Sequence, residues 1–205
     1  MARYSSEHKE ATRRRILERA GRRLKAHGID GSGIATLMGD AGLTNGAFYA
    51  HFASKEDLVA AVVGDQMRAQ REEYGANLAD RAGFEQFVRD YLSPEHRDNP
   101  DQGCPSAALL DEIARASAGI KRVYTQELLE TIDHIAGLIE APDREAARVR
   151  ALSAFASMVG TLQVSRALAD GQLANDVLAQ GIENALLLSG QVEQTPTGTS
   201  TSASE

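Results

Sequence analysis

Apolar positions recur along this chain at intervals of three and four residues, the period of a helix face rather than the alternation of a strand. Ile16, Leu17, Ala20, Leu24 and Ala26 make the first stripe, with Arg and Glu between them. They predict an amphipathic helix from about Ser6 to His27, capped by Ser5 or Ser6 and stopped by Gly28 in left-handed geometry. A tight connection, Asp30 to Gly33, leads to a short helix from Ile34 to Ala41 with Ile34, Leu37, Met38 and Ala41 on one side. Gly42 breaks the chain, and Leu43 is the buried anchor after the turn. Thr44 opens a third helix and can cap it through its hydroxyl, with Phe48 and Phe52 pointing inward four residues apart. Ser54, with Asp57 at the N3 position, marks a capped helix running to about Tyr74.

The same period continues to residue 188. Phe84 to about Tyr91 is one short segment, and Ser93 to Pro105 reads as a loop because it holds Pro94, Asn99, Pro100 and Gly103. Helices are predicted over Ser106–Ser117 and Ile120–Ile139. Pro142 suits the first turn of a long helix to about Ala169, ended by Asp170-Gly171. Leu173 to Leu188 is the last helix, closed by Ser189-Gly190. Residues 191–205 carry no apolar spacing and are expected to be a disordered tail. The fold class is therefore all-α, with about nine helices and neither strand alternation nor internal repeat.

Composition adds location and charge. There is no apolar run of about 18 residues, so no membrane span or membrane partner is expected. The opening MARYSSEHKEATRRR lacks the apolar core of a signal peptide, which makes cytoplasmic the expected localisation. A single cysteine, Cys104, excludes an internal disulfide framework. The net charge of −7 argues against a nucleic-acid binder until it is divided: residues 1–55 carry +5 and the remainder −12. A basic head on an acidic body concentrates attraction for phosphate at one end, although a solvated basic helix face would look the same.

Three short helices with a Gly-bearing turn before the third describe a helix-turn-helix unit. In such units the third element enters the major groove with its N-terminal residues on the bases. Thr44, Asn45, Gly46 and Ala47 are small or polar enough for close approach, and the Asn45 amide can read a base edge. Tyr49, His51 and Lys55 suit phosphates.

The segment Gly28 to Val63 resembles the DNA-binding domain of TetR/AcrR-type repressors, and AGLTNGAFYAHFASKEDL, Ala41 to Leu58, carries most of the resemblance. The resemblance implies that Thr44 and Asn45 face bases or phosphates and that Gly46 permits close approach. It also implies backbone phosphate contacts for Tyr49, His51 and Lys55, with Phe48 and Phe52 in the core. Gly33, preceded by Ser32, stands where the family has a Ser or Thr cap. Ala35 and Thr36 occupy its next solvent-facing sites, so Thr36 is the contact expected from the second helix. Ala50 replaces a larger side chain. Both departures point to a sparse contact set.

For the body, the resemblance implies a small-molecule effector and a homodimer on a palindromic double-stranded DNA operator. Expected domains are 1–55 for DNA binding, 56–190 for ligand binding and dimerisation, and the tail 191–205. The two last helices carry more apolar positions than one stripe needs: Leu152, Phe155, Ala156, Val159, Leu162 and Val164, then Val177, Leu178, Ile182, Ala185 and Leu186. Together with Gly160 they suit a four-helix interface between subunits, or both stripes serve the subunit's own core. Met67, Tyr74, Phe87, Tyr91, Leu109, Ile113, Tyr124 and Leu128 are candidate liners of a ligand pocket. Cys104, before Pro105 and a helix start, is a candidate redox or electrophile sensor, or a packing residue. A metal or catalytic pair with His96 lacks a third partner. No HExxH, GxSxG, Walker or dinucleotide motif is present, so no catalytic residue, metal or cofactor is expected. The reading is of a sequence-specific transcriptional regulator, a repressor released by ligand. The alternatives are a Cys104-based sensing repressor or a partner-binding helical module with a relic DNA motif.

Overall fold

The computed structural model describes residues 2–75 and 78–190, all-α throughout those residues. Nine α-helices and one 3-10 helix follow in order: α1 (Ala2–His27), α2 (Ile34–Asp40), the 3-10 helix (Asn45–Ala50), α3 (Lys55–Gly75) and α4 (Arg81–Tyr91). Then come α5 (Pro94–Asp98), α6 (Pro105–Arg115), α7 (Ala118–Ala136), α8 (Arg144–Ala167) and α9 (Gly171–Leu188). The expected tail, 191–205, lies outside the described residues.

Several ends differ from the sequence reading. α1 begins at Ala2, so Ser5 and Ser6 lie within it rather than at its cap; no Gly or Pro precedes them to stop the helix. It ends as expected, with Gly28 at φ +79°. The stretch taken as loop contains α5, because the Ser93 hydroxyl accepts from the His96 amide and Pro94 fills the first turn. Pro142 lies outside α8, whose start is set by the Asp143 carboxylate accepting from the Ala146 amide. Asp170 is likewise the cap of α9, accepting from Gln172 and Leu173 amides. An Asp side chain satisfies orphan amides directly, whereas a proline only tolerates their absence.

Two apolar clusters organise the chain. The first joins the inner faces of α1, α2 and the 3-10 helix to α3 and continues into α6 and α7 through Leu109, Ile113 and Ile120. The second gathers Phe84, Phe87 and Tyr91 of α4 with Ile132 and Ile135 of α7, Phe155 and Leu162 of α8, and Leu178 and Leu186 of α9. Glu127 of α7, 5% exposed, lies between Arg68 and Arg71 of α3, at 2.5 and 2.8 Å, and bolts these two helices together. α8 and α9 pack tightly at Gly181, where a β-carbon would stand 2.5 Å from Thr161. Gly160, expected to permit a close approach, faces open space within the subunit.

The last two helices do carry two apolar stripes. Phe155, Val159, Leu162, Leu178 and Ala185 are buried within the subunit. Val149, Leu152 and Val164 of α8 and Leu173, Leu187 and Leu188 of α9 remain 40–59% exposed.

Candidate nucleic-acid interface

Gly42, at φ +68°, turns the chain from α2 into the element predicted to read DNA. That element is a 3-10 helix rather than an α-helix. The Phe48 carbonyl accepts from both His51 and Phe52 amides at 2.9 and 3.0 Å, which closes it after two turns. Phe48 and Phe52 are buried and anchor it on the first apolar cluster. Thr44 stands at the cap position, and its hydroxyl makes no capping bond. Thr44, Asn45, Gly46 and Tyr49 are exposed, Tyr49 at 72%. A β-carbon on Gly46 would meet nothing nearer than 4.0 Å, so the subunit's own fold does not require glycine there. Thr36 is exposed on α2, and Gly33 caps that helix without any side-chain bond.

The remaining predicted contacts are less free. His51 is half-buried, its Nδ1 has no hydrogen-bond partner, and burial together with Lys9 and Arg13 lowers its pKa. At neutral pH the ring offers a hydrogen bond rather than a charge. The Lys55 ammonium donates to the Ile29 carbonyl at 2.7 Å and so secures the turn after α1, retaining two further protons. Ser54 caps α3 as expected: its hydroxyl accepts from the Asp57 amide at 3.1 Å, while the Asp57 carboxylate accepts from the Ala53 amide, one residue before the cap, at 2.9 Å.

Supporting residues missed by the sequence reading hold this surface. Arg13 donates to the His51 carbonyl at 2.7 Å and lays its guanidinium over the Phe52 ring, 4.3 Å from the centroid. Its position three and four residues before Ile16 and Leu17, on the buried stripe of α1, was the available signal. Arg23 pairs with Asp40, tying α1 to α2 and lowering the carboxyl pKa. Glu112 of α6 accepts from the Ile29 and Asp30 amides at 2.8 and 3.2 Å, linking the body to the turn beneath the reading head.

Of the eight candidate liners, Tyr74 faces a cavity among the described residues, and the others pack in the two apolar clusters. Met67, Leu109 and Ile113 are buried against the reading head's core, with Tyr124 and Leu128 packed beside them. Phe87 and Tyr91 are buried in the body, where Phe87 meets Tyr74 and Tyr91 meets Phe155 edge-on. Apolar side chains at helical spacing fill the core first, and the cavity takes polar walls. It measures about 570 Å³ and opens between α1, α3, α4, α5 and the loop before α6. Lys25, Gln70, Glu73, Tyr74, Asp90 and His96 line it. Lys25 rather than Ala26 occupies the buried stripe; its ammonium donates to the Gly103 carbonyl at 2.9 Å, and burial lowers its pKa to about 8. His96 bridges the Tyr91 carbonyl through Nδ1 at 2.8 Å and accepts at Nε2 from the Cys104 amide at 2.9 Å. That pairing fixes a neutral ring protonated on Nδ1, and burial takes its pKa to about 4.

The His96–Cys104 contact therefore uses the Cys104 backbone, not its thiol. Cys104 is 0% exposed and caps α6 without a side-chain bond, which suits a packing residue rather than an exposed sensing thiol. The Tyr91 hydroxyl is buried too. Gly103 leaves no room for a side chain: a β-carbon would stand 2.3 Å from His96 Nε2. Arg166 of α8 donates to the Arg97, Ala107 and His96 carbonyls at 3.1, 2.9 and 2.8 Å, locking α5 and α6 to the body.

An exposed element presented by a packed three-helix head, with a cavity between that head and the body, has the arrangement of a helix-turn-helix fold. Residues 16–62 match the family described as bacterial regulatory proteins, tetR family. No curated protein sequence matches the chain. Among solved structures, the reduced form of E. coli NemR superposes with a TM-score of 0.72 at 16% identity, over 85% of this chain and 95% of that one. A TetR-family regulator from Cytophaga hutchinsonii gives 0.70 at 18%, over 90% and 96%. Bacillus subtilis FadR in complex with stearoyl-CoA gives 0.66 at 14%, over 87% and 98%. Residues 16–62 thus match the tetR family by sequence, and the chain as a whole shares the fold of these TetR-family structures. Among the described residues, no helix is long and apolar enough to cross a membrane.

Proposed function

We propose that the chain is a dimeric, sequence-specific DNA-binding repressor that a small molecule releases from its operator. The observation that carries this reading is the exposed face Thr44–Tyr49, held by buried Phe48 and Phe52 and clasped by Arg13. Thr44 and Asn45 meet base edges or phosphates, Gly46 admits the backbone closely, and Tyr49, His51 and Lys55 meet phosphates; Thr36 adds a contact from α2. The +5 charge of residues 1–55 supplies the salt-sensitive attraction.

Six exposed apolar side chains on α8 and α9 support dimerisation through the last two helices. A two-fold protein would set two reading heads on half-sites about 34 Å apart, one turn of DNA. Effector control is supported by the cavity, whose wall includes Lys25 of α1, the helix that also carries Arg13. The stearoyl-CoA in Bacillus subtilis FadR is a precedent for an effector in this fold. A ligand preferring a conformation with differently spaced reading heads would lower operator affinity. Gel shifts with DNA from around the chain's own gene test the reading. A salt-sensitive, sequence-specific shift supports it, and a shift indifferent to sequence refutes it. Sedimentation should give twice the 22.0 kDa of the chain; a monomer at micromolar concentration refutes the dimer.

A further inference from the structure

The cavity beneath the reading head has walls that specify a ligand chemistry. Three carboxylates, Glu73, Asp90 and Glu95, face it against one ammonium, that of Lys25. The Lys25 charge is already engaged by the Gly103 carbonyl and is 9% exposed, so it is poorly placed to neutralise an incoming anion. His96 adds no charge, since both ring nitrogens are occupied by the Tyr91 carbonyl and the Cys104 amide. The amides of Gln66, Gln70, Asn99 and Gln102 offer both donors and acceptors. A long alkyl chain would find only Ala69 and the Tyr74 ring.

We propose that this cavity takes a polar organic cation, an amine or polyamine with or without hydroxyl or amide groups, and that its binding loosens α1 from the start of α6. The proposal rests on the reading of the chain as an effector-controlled DNA-binding protein. Glu73 on α3 and Asp90 on α4 hold the ammonium, while the amides meet the neutral polar groups. A cation beside Lys25 repels its ammonium and competes for the Gly103 carbonyl. The Lys25–Gly103 bond joins α1 directly to the loop entering α6, and Glu112, further along α6, holds the turn after α1. A ligand favouring the conformation in which these bonds are broken weakens DNA binding by that same preference.

The test uses the full chain and four probes: kanamycin and spermidine as polar cations, maltotriose as an uncharged polyol, and citrate as an anion. At saturation, kanamycin or spermidine raises the unfolding midpoint by about 3 °C or more, and maltotriose and citrate do not. Glu73→Gln with Asp90→Asn, both exposed positions, lowers the affinity about tenfold or more while leaving the ligand-free midpoint in place. The bound cation reduces operator affinity about tenfold. Stabilisation by citrate or maltotriose, by none of the four, or by a cation equally well in the double variant overturns the proposal. A cation that binds without changing DNA affinity overturns the coupling. Specific DNA binding without any cation response leaves the regulator reading standing. Cation binding without specific DNA binding removes that reading and spares the cavity assignment.

Discussion

Replacing Arg13 with Ala isolates the clasp on the reading element. Arg13 makes one charge-assisted bond to the His51 carbonyl at 2.7 Å and one cation–π contact with Phe52 at 4.3 Å. A hydrogen bond to a charged group contributes about 1.5–3 kcal/mol, and a partly exposed cation–π contact about 0.5–1 kcal/mol. Because both are made by one half-buried side chain, they do not add fully, and a loss of about 2 kcal/mol is expected. For a chain of this size that lowers the unfolding midpoint by about 4–8 °C. Since the clasp holds the end of the reading element, operator affinity should fall as well, by about tenfold.

The salt dependence separates positioning from phosphate contact. If Arg13 acts through His51 and Phe52, the slope of log affinity against log salt stays unchanged in Arg13→Ala. If it touches phosphate, the slope falls in magnitude by about one. Urea unfolding together with DNA titrations at several salt concentrations reads both quantities. Stability within about 0.5 kcal/mol of the parent, the range of an uninvolved surface change, would refute the clasp.

Further predictions follow from the same contacts. Glu127→Ala leaves Arg68 and Arg71 without their shared carboxylate and should cost about 3 kcal/mol in urea unfolding, at the low end for buried pairs because Arg68 is half exposed. His96 has a folded pKa of about 4, below the 6.5 of an exposed ring, so its stabilising effect is complete above pH 6.5 and is lost as pH falls toward 4. Between pH 7.5 and 4.5 this amounts to about 2–3 kcal/mol, measured as the difference in pH dependence between the parent and His96→Gln. Gly103→Ala drives a β-carbon into His96 and should destabilise by about 2 kcal/mol or more, read by thermal unfolding. Gly46→Ala, in open space, should leave the unfolding midpoint unchanged while weakening specific DNA binding about tenfold or more.

The stripes of α1 and α2, the stop at Gly28, the turn at Gly42 and the anchors Phe48 and Phe52 were legible because spacing and backbone freedom are local properties. The short helix α5 was also written locally, in Ser93-Pro94, but was outweighed by the prolines and glycine around it. The caps Asp143 and Asp170 compete with adjacent Pro142 and Gly171 as boundary signals, and only the hydrogen bonds decide between them. The tight 3-10 geometry of the reading element follows from both phenylalanines entering the core so soon before α3, a tertiary demand. The walls of the cavity answer to the same kind of tertiary demand. Met67, Leu109 and Ile113 have the right polarity for a pocket wall, yet they lie at the joint between head and body and are consumed by packing. The actual wall comes from α1, α3, α4 and α5 together, and no helix taken alone marks Lys25, Glu73 and Asp90 as neighbours.

Whether Thr44 to Tyr49 reads DNA is decided by fluorescence anisotropy with a fragment from around the chain's own gene. Wild type, Asn45→Ala and Tyr49→Phe should share one unfolding midpoint, because both side chains are exposed. Asn45→Ala should lose about 1–3 kcal/mol of affinity for the specific fragment while its affinity for random DNA is unchanged. Tyr49→Phe should weaken binding to both fragments alike. Unchanged specific affinity in both variants would show that Thr44 to Tyr49 does not read DNA.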